Sequence, residues 1–341
     1  MLHRIIAAII LLSALCTATA SEADSSSNKI SYIPQIHGVV RGRFEASTEH
    51  SDYRFQMRNA RLNVGGKIAP FAEYYIQADF CDCGKIKILD AWARIRVTKE
   101  IGFQAGQFRM PFGVDPFRAP ANYIFANRSF VGKQMCNVRA VGAKVMWQPS
   151  ALPLTLEAGA FNPGTIGDHT PWHNTLTYAA KLTACWDNVT FATGFQSVKP
   201  DSVRANLADA AVTWSAGRWL VEAEYMYKHY TRDRHKPAHA YNFYADYSMP
   251  IQTSLFNRLS FQGRFDGLTA HSSAVKDSEG LLVTNDAPRN RVTLGSTISY
   301  VRNKNMRLDL RLDYEKYFYH DGFVPTVDNG DKIVAEIVIR F

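Results

Sequence analysis

The stretch KIVAEIVIRF, from Lys332 to Phe341, shows the pattern that decides the fold. Successive side chains of a β-strand point to opposite faces, so this stretch has one apolar and one mixed face. The apolar face carries Ile333, Ala335, Ile337, Ile339 and Phe341. We expect this face to contact lipid and the face with Glu336 to line the interior of a closed sheet, because an open sheet edge in a membrane leaves backbone groups unsatisfied.

The same period-two pattern recurs along the chain. Sixteen runs can be counted, at residues 35–46, 53–66, 72–80, 86–97, 101–108, 138–148, 154–162, 175–185, 188–197, 203–215, 218–230, 240–250, 258–267, 289–301, 306–319 and 332–341. A soluble β-sandwich has the same alternation in any one strand, but an even number of runs is typical of single-chain outer-membrane barrels. The sequence therefore predicts an all-β fold, a transmembrane antiparallel β-barrel of about 16 strands.

The connections between these runs alternate in length. Those after even-numbered runs are mostly short: 98–100, 149–153, 186–187, 216–217 and 302–305. Those after odd-numbered runs include the long ones: 109–137, 163–174, 268–288 and 320–330. Short turns on one rim and long loops on the other are the layout of outer-membrane barrels, with the short turns on the periplasmic side.

The N-terminus has the features of a secretory signal peptide. A basic start, a short apolar run and small residues at Ala18 and Ala20 fit such a peptide better than a membrane-spanning helix. We expect a signal peptide at 1–20, a flexible lead-in at 21–34 and a single outer-membrane barrel at 35–341. Removal of Arg4 would leave 38 of the 39 Lys and Arg against 31 Asp and Glu. This balance fits anionic partners, and export argues against nucleic acid.

Three segments resemble one known family. They read FQMRNARLNVGG (55–66), ILDAWARI (88–95) and GFQAGQFRMPFG (102–113). Together they resemble the phosphate-selective porin O/P family of outer-membrane porins from Bacteroidetes-like bacteria. The resemblance implies a sixteen-stranded channel in the bacterial outer membrane, often a homotrimer, with a constriction loop folded into the lumen. It also implies small anions, phosphate among them, as solutes. The terminal Phe341 is similar to the signal that the barrel-assembly machinery reads, so that machinery is an expected partner.

The longest loop, residues 109–137, is the candidate constriction loop. Its aromatic residues predict packing against the barrel wall, and its prolines and glycines predict an irregular rather than helical path. Its charges are Arg109, Arg118, Arg128 and Lys133 against Asp115. Rings of Arg and Lys at a constriction select anions, so we expect these four cations to bind anions there. The alternative is that they pair with lumen carboxylates and hold the loop in place.

Alternation also places cations on the inner wall of the first six runs. They are Arg41, Arg43, Arg54, Arg58, Arg61, Arg94, Arg96 and Lys144. Arg61 joins this face only if a β-bulge near Asn59 shifts the alternation. Four carboxylates lie among these cations, and the others are expected across the barrel, at Glu222, Glu224, Asp309, Asp313, Glu315 and Glu336. A basic N-terminal arc opposite an acidic far arc would set a transverse field across the lumen, and guanidinium groups suit phosphate.

Four cysteines remain after residue 20. Cys81 and Cys83 fall in a short outer loop and Cys136 ends the long loop. In an oxidising compartment a bridge between Cys83 and Cys136, or between Cys81 and Cys136, could pin that loop. A strained Cys81–Cys83 pair or free thiols are equally compatible with the sequence, and Cys185 is expected to be unpaired.

The sequence contains no common catalytic motif. We find no Gly-x-Ser-x-Gly, His-Glu-x-x-His or P-loop, and the Cys81-Asp82-Cys83 spacing is not that of a zinc site. We therefore expect no enzymatic activity, metal or cofactor. The favoured function is passive diffusion of small hydrophilic solutes with a preference for anions. A non-selective general porin, a non-conducting structural or adhesive surface barrel, and a soluble secreted β protein are the alternatives.

Overall fold

A computed structural model describes residues 31–82, 85–164, 166, 170–200, 202–303, 305–320 and 323–341. The expected signal peptide and most of the lead-in lie outside these residues. Within the described part of the chain, sixteen strands form one closed barrel. They are β1 (Gln35–Ser47), β2 (Tyr53–Ala69), β3 (Ala72–Asp82), β4 (Lys85–Arg96), β5 (Ile101–Arg109), β6 (Arg139–Trp147), β7 (Leu154–Phe161), β8 (Thr177–Trp186), β9 (Val189–Val198), β10 (Ala205–Ala216), β11 (Trp219–Tyr230), β12 (Ala238–Pro250), β13 (Arg258–Leu268), β14 (Arg289–Val301), β15 (Arg307–Tyr319) and β16 (Lys332–Arg340). The predicted fold class is thus confirmed.

The barrel closes where β1 pairs with β16. The two strands are antiparallel, with Arg43 opposite Glu336, and the Phe341 N–H donates to the Gly38 carbonyl over 3.1 Å. A Cβ at Gly38 would lie 2.4 Å from the Phe341 ring, so any larger residue there would displace that ring. Closure leaves no sheet edge at this seam, as a membrane barrel requires.

The two faces of the strands are distributed as the alternation predicts. In β16, Ile337 is 44% exposed on the outer face, whereas Val338 is 2% exposed on the inner face. A bulge in β2 interrupts the alternation at Arg58, because Arg41 lies opposite Asn59 while Gly42 lies opposite Met57. This shift meets the condition under which Arg61 was expected to face inward, and it points Arg61 into the barrel.

The length of the connections distinguishes the two rims of the barrel. Connections after even-numbered strands are short, such as residues 217–218 between β10 and β11, and the long connections 110–138 and 269–288 lie on the other rim. No helix in the described residues is long and apolar enough to cross a membrane. The described helical segments are four single turns: 3₁₀ turns at Pro120–Asn122, Thr231–Asp233 and Val327–Asn329, and a π-helical turn at Val131–Met135.

Candidate functional site

The connection between β5 and β6, residues 110–138, folds into the barrel; we name it the crossing loop. It contains the 3₁₀ turn Pro120–Asn122 and the π-helical turn Val131–Met135. Helical structure in the described loop is confined to these two short turns, and the rest follows the irregular path that the sequence predicted. The inward path is confirmed, and its cause lies in apolar and polar contacts with opposite walls of the barrel.

The apolar contacts of the crossing loop are with the arc β9–β13. Val131 and Met135 are 0% and 2% exposed. They pack in a cluster with Phe130 of the same loop and with the inward side chains Leu207, Met226, Ala240 and Leu268. Burying this apolar surface is the main source of stability that seats the π-helical turn. It also fills the interior next to these strands, so this part of the wall is not available to solutes.

One set of polar contacts fastens the loop to β11. The backbone N–H groups of Val114 and Asp115 donate to the Glu224 carboxylate over 2.7 and 2.9 Å. Arg118 donates to Glu222 over 2.6 Å. Both glutamates are at most 2% exposed, so water competes little for these bonds. Although burial disfavours its charged form, the Glu222 carboxylate raises the pKa of Arg118 above the usual value.

A second set of contacts fastens the loop to other strands. The Ala126 N–H donates to Asp313 on β15 over 2.7 Å, and the Ala126 carbonyl accepts from Arg41 on β1 over 2.7 Å. The Phe130 N–H donates to Asp266 on β13 over 2.9 Å. The loop is therefore tied to β1, β11, β13 and β15, and it crosses the lumen rather than lining one side of it.

Asp115 organises the charged residues inside the loop. Its carboxylate lies 3.2 Å from Arg118 and 3.9 Å from Arg128, and it accepts from the Ser129 hydroxyl over 2.7 Å. Burial would favour the neutral acid, but Arg128 and Arg118 hold the pKa of Asp115 below its usual value. Gly132 permits this packing, because a Cβ there would lie 2.0 Å from an Asp115 oxygen.

A cavity of about 470 Å³ remains on the other side of the loop, against β1, β2 and β14–β16; we name it the cationic cavity. The charged side chains that line it are Arg41, Arg43, Arg54, Arg58, Arg128, Lys133, Arg291, Lys332, Glu45 and Asp328. Eight cations thus face two carboxylates. Such an excess inside a low-dielectric wall produces a positive potential that attracts anions.

Three of these cations have no carboxylate partner among the described residues. The side chains of Arg58 and Lys133 take part in no hydrogen bond or ion pair there, and the Lys332 ammonium donates to the Asp328 carbonyl. Lys133 is exposed to the lumen, yet the surrounding barrel dehydrates it, and Arg291, Arg58 and Lys332 repel its charge. These effects, dehydration first, lower the pKa of Lys133 to about 8. An anion here would relieve repulsion among these cations.

The twelve cations that the sequence suggested as anion-binding residues fall into two groups in the structure. Six line the cationic cavity: Arg41, Arg43, Arg54, Arg58, Arg128 and Lys133. The other six lie elsewhere: Arg61, Arg94, Arg96, Arg109, Arg118 and Lys144. An anion-binding role for these six residues stays a prediction, and their positions outside the cavity do not favour it.

The six cations outside the cavity are mostly engaged with protein groups. Arg61 contacts Asp79 at 2.7 Å, Arg94 contacts Glu73 at 2.9 Å, and Lys144 is paired with Glu157. Arg96 lies 3.9 Å from Glu73. Arg109 donates to the backbone carbonyls of Pro116 and Arg118. For Arg109 and Arg118 the geometry matches the alternative reading, in which loop cations hold the loop in place.

The far arc carries arginines among the expected carboxylates, so it is less acidic than the sequence suggested. Arg291 on β14 lies 2.8 Å from Asp266 and 3.2 Å from Glu315, and Arg311 on β15 lies 3.0 Å from Glu336. Glu315 and Glu336 are therefore paired at least in part with arginines of their own arc. Sequence reasoning missed Arg291 and Lys332 as cavity residues, although alternation with the outward Val292 and Ile333 could have placed them on the inner face.

The cysteines do not support the expected loop bridge. Cys81 and Cys136 are both free thiols, so a Cys81–Cys136 disulfide is absent. Cys83 lies outside the described residues, and with it the Cys83–Cys136 pairing. Cys185 is free and exposed, as expected. Among the described residues, no group of His, Cys, Asp and Glu could hold a metal ion.

Residues 35–185 match the model of the family described as phosphate-selective porin O and P. The match contains all three segments that carried the resemblance, which is thereby confirmed. No curated protein is significantly similar to the chain in sequence. The family match and the barrel are those of Gram-negative outer-membrane porins, which confirms the expected location in the bacterial outer membrane. They support a channel for small solutes rather than an enzyme.

Solved porin structures share the fold at low sequence identity. The outer membrane channel DcaP of Acinetobacter baumannii has a TM-score of 0.60 and 11% identity over 94% of this chain and 100% of its own. An anion-selective porin from Comamonas acidovorans has a TM-score of 0.59 and 12% identity over 90% and 98%. The trimer form of OmpT from Vibrio cholerae has a TM-score of 0.60 and 10% identity over 91% and 98%.

Proposed function

We propose that this protein is a passive outer-membrane channel for small hydrophilic solutes that prefers anions, phosphate among them. The observation that carries the proposal is the cationic cavity, in which Arg58, Lys133 and Lys332 have no carboxylate partner among the described residues. A pore that selects anions needs positive charge that is not already neutralised by the wall. The match of residues 35–185 to a family of phosphate-selective porins supports the same proposal.

The cavity residues have distinct roles in this proposal. Arg41, Arg128 and Arg291 use some of their donors on the crossing loop or its ion pairs and therefore fix the cavity's shape. Arg58 and Lys133 have all their side-chain donors free for a solute among the described residues. An anion bound there keeps contact with water on one side, so binding stays weak enough for release, as conduction requires.

The test is a planar-bilayer measurement of the zero-current potential in a KCl gradient. A unit charge at 4 Å in water contributes about 1 kcal/mol, so the Arg58→Gln/Lys133→Gln double variant should lower the anion-to-cation permeability ratio by at least about fivefold. A control variant, Lys67→Gln/Arg96→Gln, removes two cations that lie outside the cavity and should leave the ratio unchanged. Inorganic phosphate should block the chloride current of the wild type at lower concentration than that of the double variant.

The other outcomes separate the alternatives. A wild-type channel that conducts without ionic preference would be a general porin and would overturn the anion proposal. A folded, heat-modifiable barrel that does not conduct would be a surface barrel closed by the crossing loop.

We also propose that the barrel is a homotrimer, as one of the similar structures is. Phe55 on β2 and Ile86 on β4 are 88% and 71% exposed on the outer face, and a neighbouring subunit would cover them. Mass photometry in detergent tests the assembly. A trimer that dissociates in the Phe55→Ser/Ile86→Ser variant supports the proposal, and a monomeric wild type contradicts it.

A further inference from the structure

A second concentration of positive charge lies on the long-loop rim, where β8–β11 end. It surrounds a hollow of about 580 Å³ whose charged lining residues are Lys199, Arg204, Arg232, Arg234 and Lys276. No described residue that lines the hollow is acidic. The hollow is separate from the cationic cavity, because the two share no lining residue.

The contacts of Arg204 show that the hollow lies at the outer surface of the barrel. Its guanidinium donates to the Ser197 hydroxyl over 3.0 Å and to the Leu176 carbonyl over 3.1 Å. Ser197 shares the outer face of β9 with the exposed Phe195, and Leu176 is itself 41% exposed. All hydrogen-bond acceptors of Arg204 in the described structure are neutral, so its charge is held in place without being compensated. Lys199, Arg232, Arg234 and Lys276 form no ion pair with a described residue.

Small side chains lie on the lipid-facing surface of β10, the strand that begins next to this hollow. Ala208 and Ala210 are exposed there, and larger side chains stand on both neighbouring strands. Ala208 lies opposite Phe195 on β9 and Tyr227 on β11. A groove of about 440 Å³ lies at Ala210, between aromatic residues that include Phe191, Tyr225, Tyr241 and Phe243. Small residues flanked by aromatic ridges leave room for an extended hydrocarbon chain.

The distance between the hollow and the groove matches the distance between the headgroup and the acyl chain of a lipid. Arg204 and Ala210 are six residues apart, which at about 3.3 Å per residue is about 20 Å along the strand. With the usual barrel tilt this is about 15 Å of depth, roughly one leaflet of a hydrocarbon core about 30 Å thick. A cation cluster at headgroup height suits phosphate, which arginine binds through its planar fork.

We infer that the arc β8–β12 carries a binding site for a phosphorylated lipid of the outer leaflet. Its phosphate would lie among Arg204, Arg232, Arg234 and Lys276, and one acyl chain would lie over Ala208 and Ala210. Charge complementarity favours this occupant over a neutral lipid, because the charged lining residues of the hollow are all cations.

Native mass spectrometry of the purified barrel with added diphosphoryl lipid A tests the site. We expect one lipid A per barrel to be retained by the wild type. The Arg232→Gln/Arg234→Gln/Lys276→Gln variant changes three exposed loop side chains and should bind at least tenfold more weakly. The Lys67→Gln/Lys99→Gln/Arg302→Gln variant removes the same charge from the opposite rim and should bind as the wild type does.

Two further measurements distinguish the parts of the site. Ala210→Trp fills the groove without changing charge and should also weaken lipid A binding, whereas dephosphorylated lipid A should bind the wild type at least tenfold more weakly. Inorganic phosphate at millimolar concentration should not displace lipid A. Equal binding by the rim variants or by dephosphorylated lipid A would overturn the inference. Full displacement by phosphate would also overturn it, assigning the hollow to a soluble anion. These readouts are independent of conductance.

Discussion

Arg41 on β1 and Glu336 on β16 form an ion pair with a nitrogen–oxygen distance of 2.6 Å across the seam that closes the barrel. Glu336 also accepts from Arg311 over 3.0 Å, and Arg41 reaches the crossing loop through Ala126. One carboxylate therefore joins the first strand, the last two strands and the loop that narrows the lumen. Removing it would leave the buried guanidinium of Arg41 without a counter-charge and Arg311 with Asp309, 3.4 Å away, as its remaining partner.

The first prediction concerns this carboxylate. Loss of one partner from a buried ion pair costs about 3 kcal/mol, so Glu336→Gln should lower the midpoint of thermal unfolding. The shift of gel mobility on heating would report the change. Glu73→Gln is the control, because its arginine partners are 20% and 47% exposed at the side chain and exposed pairs contribute little. Equal shifts for both variants would contradict a special role for the seam.

The sequence could predict most of the barrel because one physical rule repeats in every strand. A lipid-facing apolar residue must alternate with a lumen-facing one, so Ile337 and Val338 are assigned to opposite faces without any tertiary information. The shift at Arg58 was only a condition in the sequence analysis, since strict alternation places Arg58 and Arg61 on different faces. Only the bulge brings both into the lumen.

The path of the crossing loop was less predictable from sequence. Its inward direction follows from its length and aromatic content, but its side of the lumen depends on apolar inward residues of a distant arc, such as Leu207 and Met226. Those residues interrupt the polar inner face, but the sequence around them does not indicate which segment packs against them. The pairing of Arg61 with Asp79 and of Arg118 with Glu222 likewise depends on positions that alternation does not determine.

The second prediction separates cations that shape the loop from cations that meet the solute. Arg118→Gln removes the bond to Glu222 and leaves that buried carboxylate without its ionic partner. We expect larger current fluctuations in single-channel recordings, because the loop loses one attachment to β11. Arg96→Gln removes the same charge from a half-exposed side chain and should leave the fluctuations unchanged. Unchanged current fluctuations in Arg118→Gln would show that the other contacts suffice to hold the crossing loop in place.

The third prediction concerns the packing of the loop on itself. Gly132→Ala would place a Cβ 2.0 Å from an Asp115 oxygen, so the π-helical turn must move and the cavity must change shape. We expect an altered single-channel conductance with the barrel still folded. Gly42→Ala is the matched control, because its Cβ would meet Ile337 at an ordinary 3.6 Å. An unchanged conductance in Gly132→Ala would contradict the tight packing around Asp115.

The fourth prediction concerns the thiols. Burial raises the pKa of the Cys136 thiol to about 12, so little reactive thiolate forms at neutral pH. Maleimide should label the exposed Cys185 in the folded barrel at least tenfold faster than Cys136, and unfolding should make the two rates similar. Mass spectrometry of tryptic peptides would measure both rates. Rapid labelling of Cys136 in the folded state would show that the crossing loop opens.

The last prediction concerns the pH dependence of selectivity. The pKa of Lys133 is lowered to about 8 by dehydration and by the cations around it. Lys133 is therefore charged below this pH and becomes neutral as the pH rises through it, so the anion preference should fall between about pH 7 and 9. Zero-current potentials across this range would measure the fall. Lys133→Arg keeps its charge throughout, because guanidinium titrates far higher, and its selectivity should stay level. An equal fall in Lys133→Arg would assign the titration to another group, and a level wild type would show that the charge of Lys133 does not set the preference.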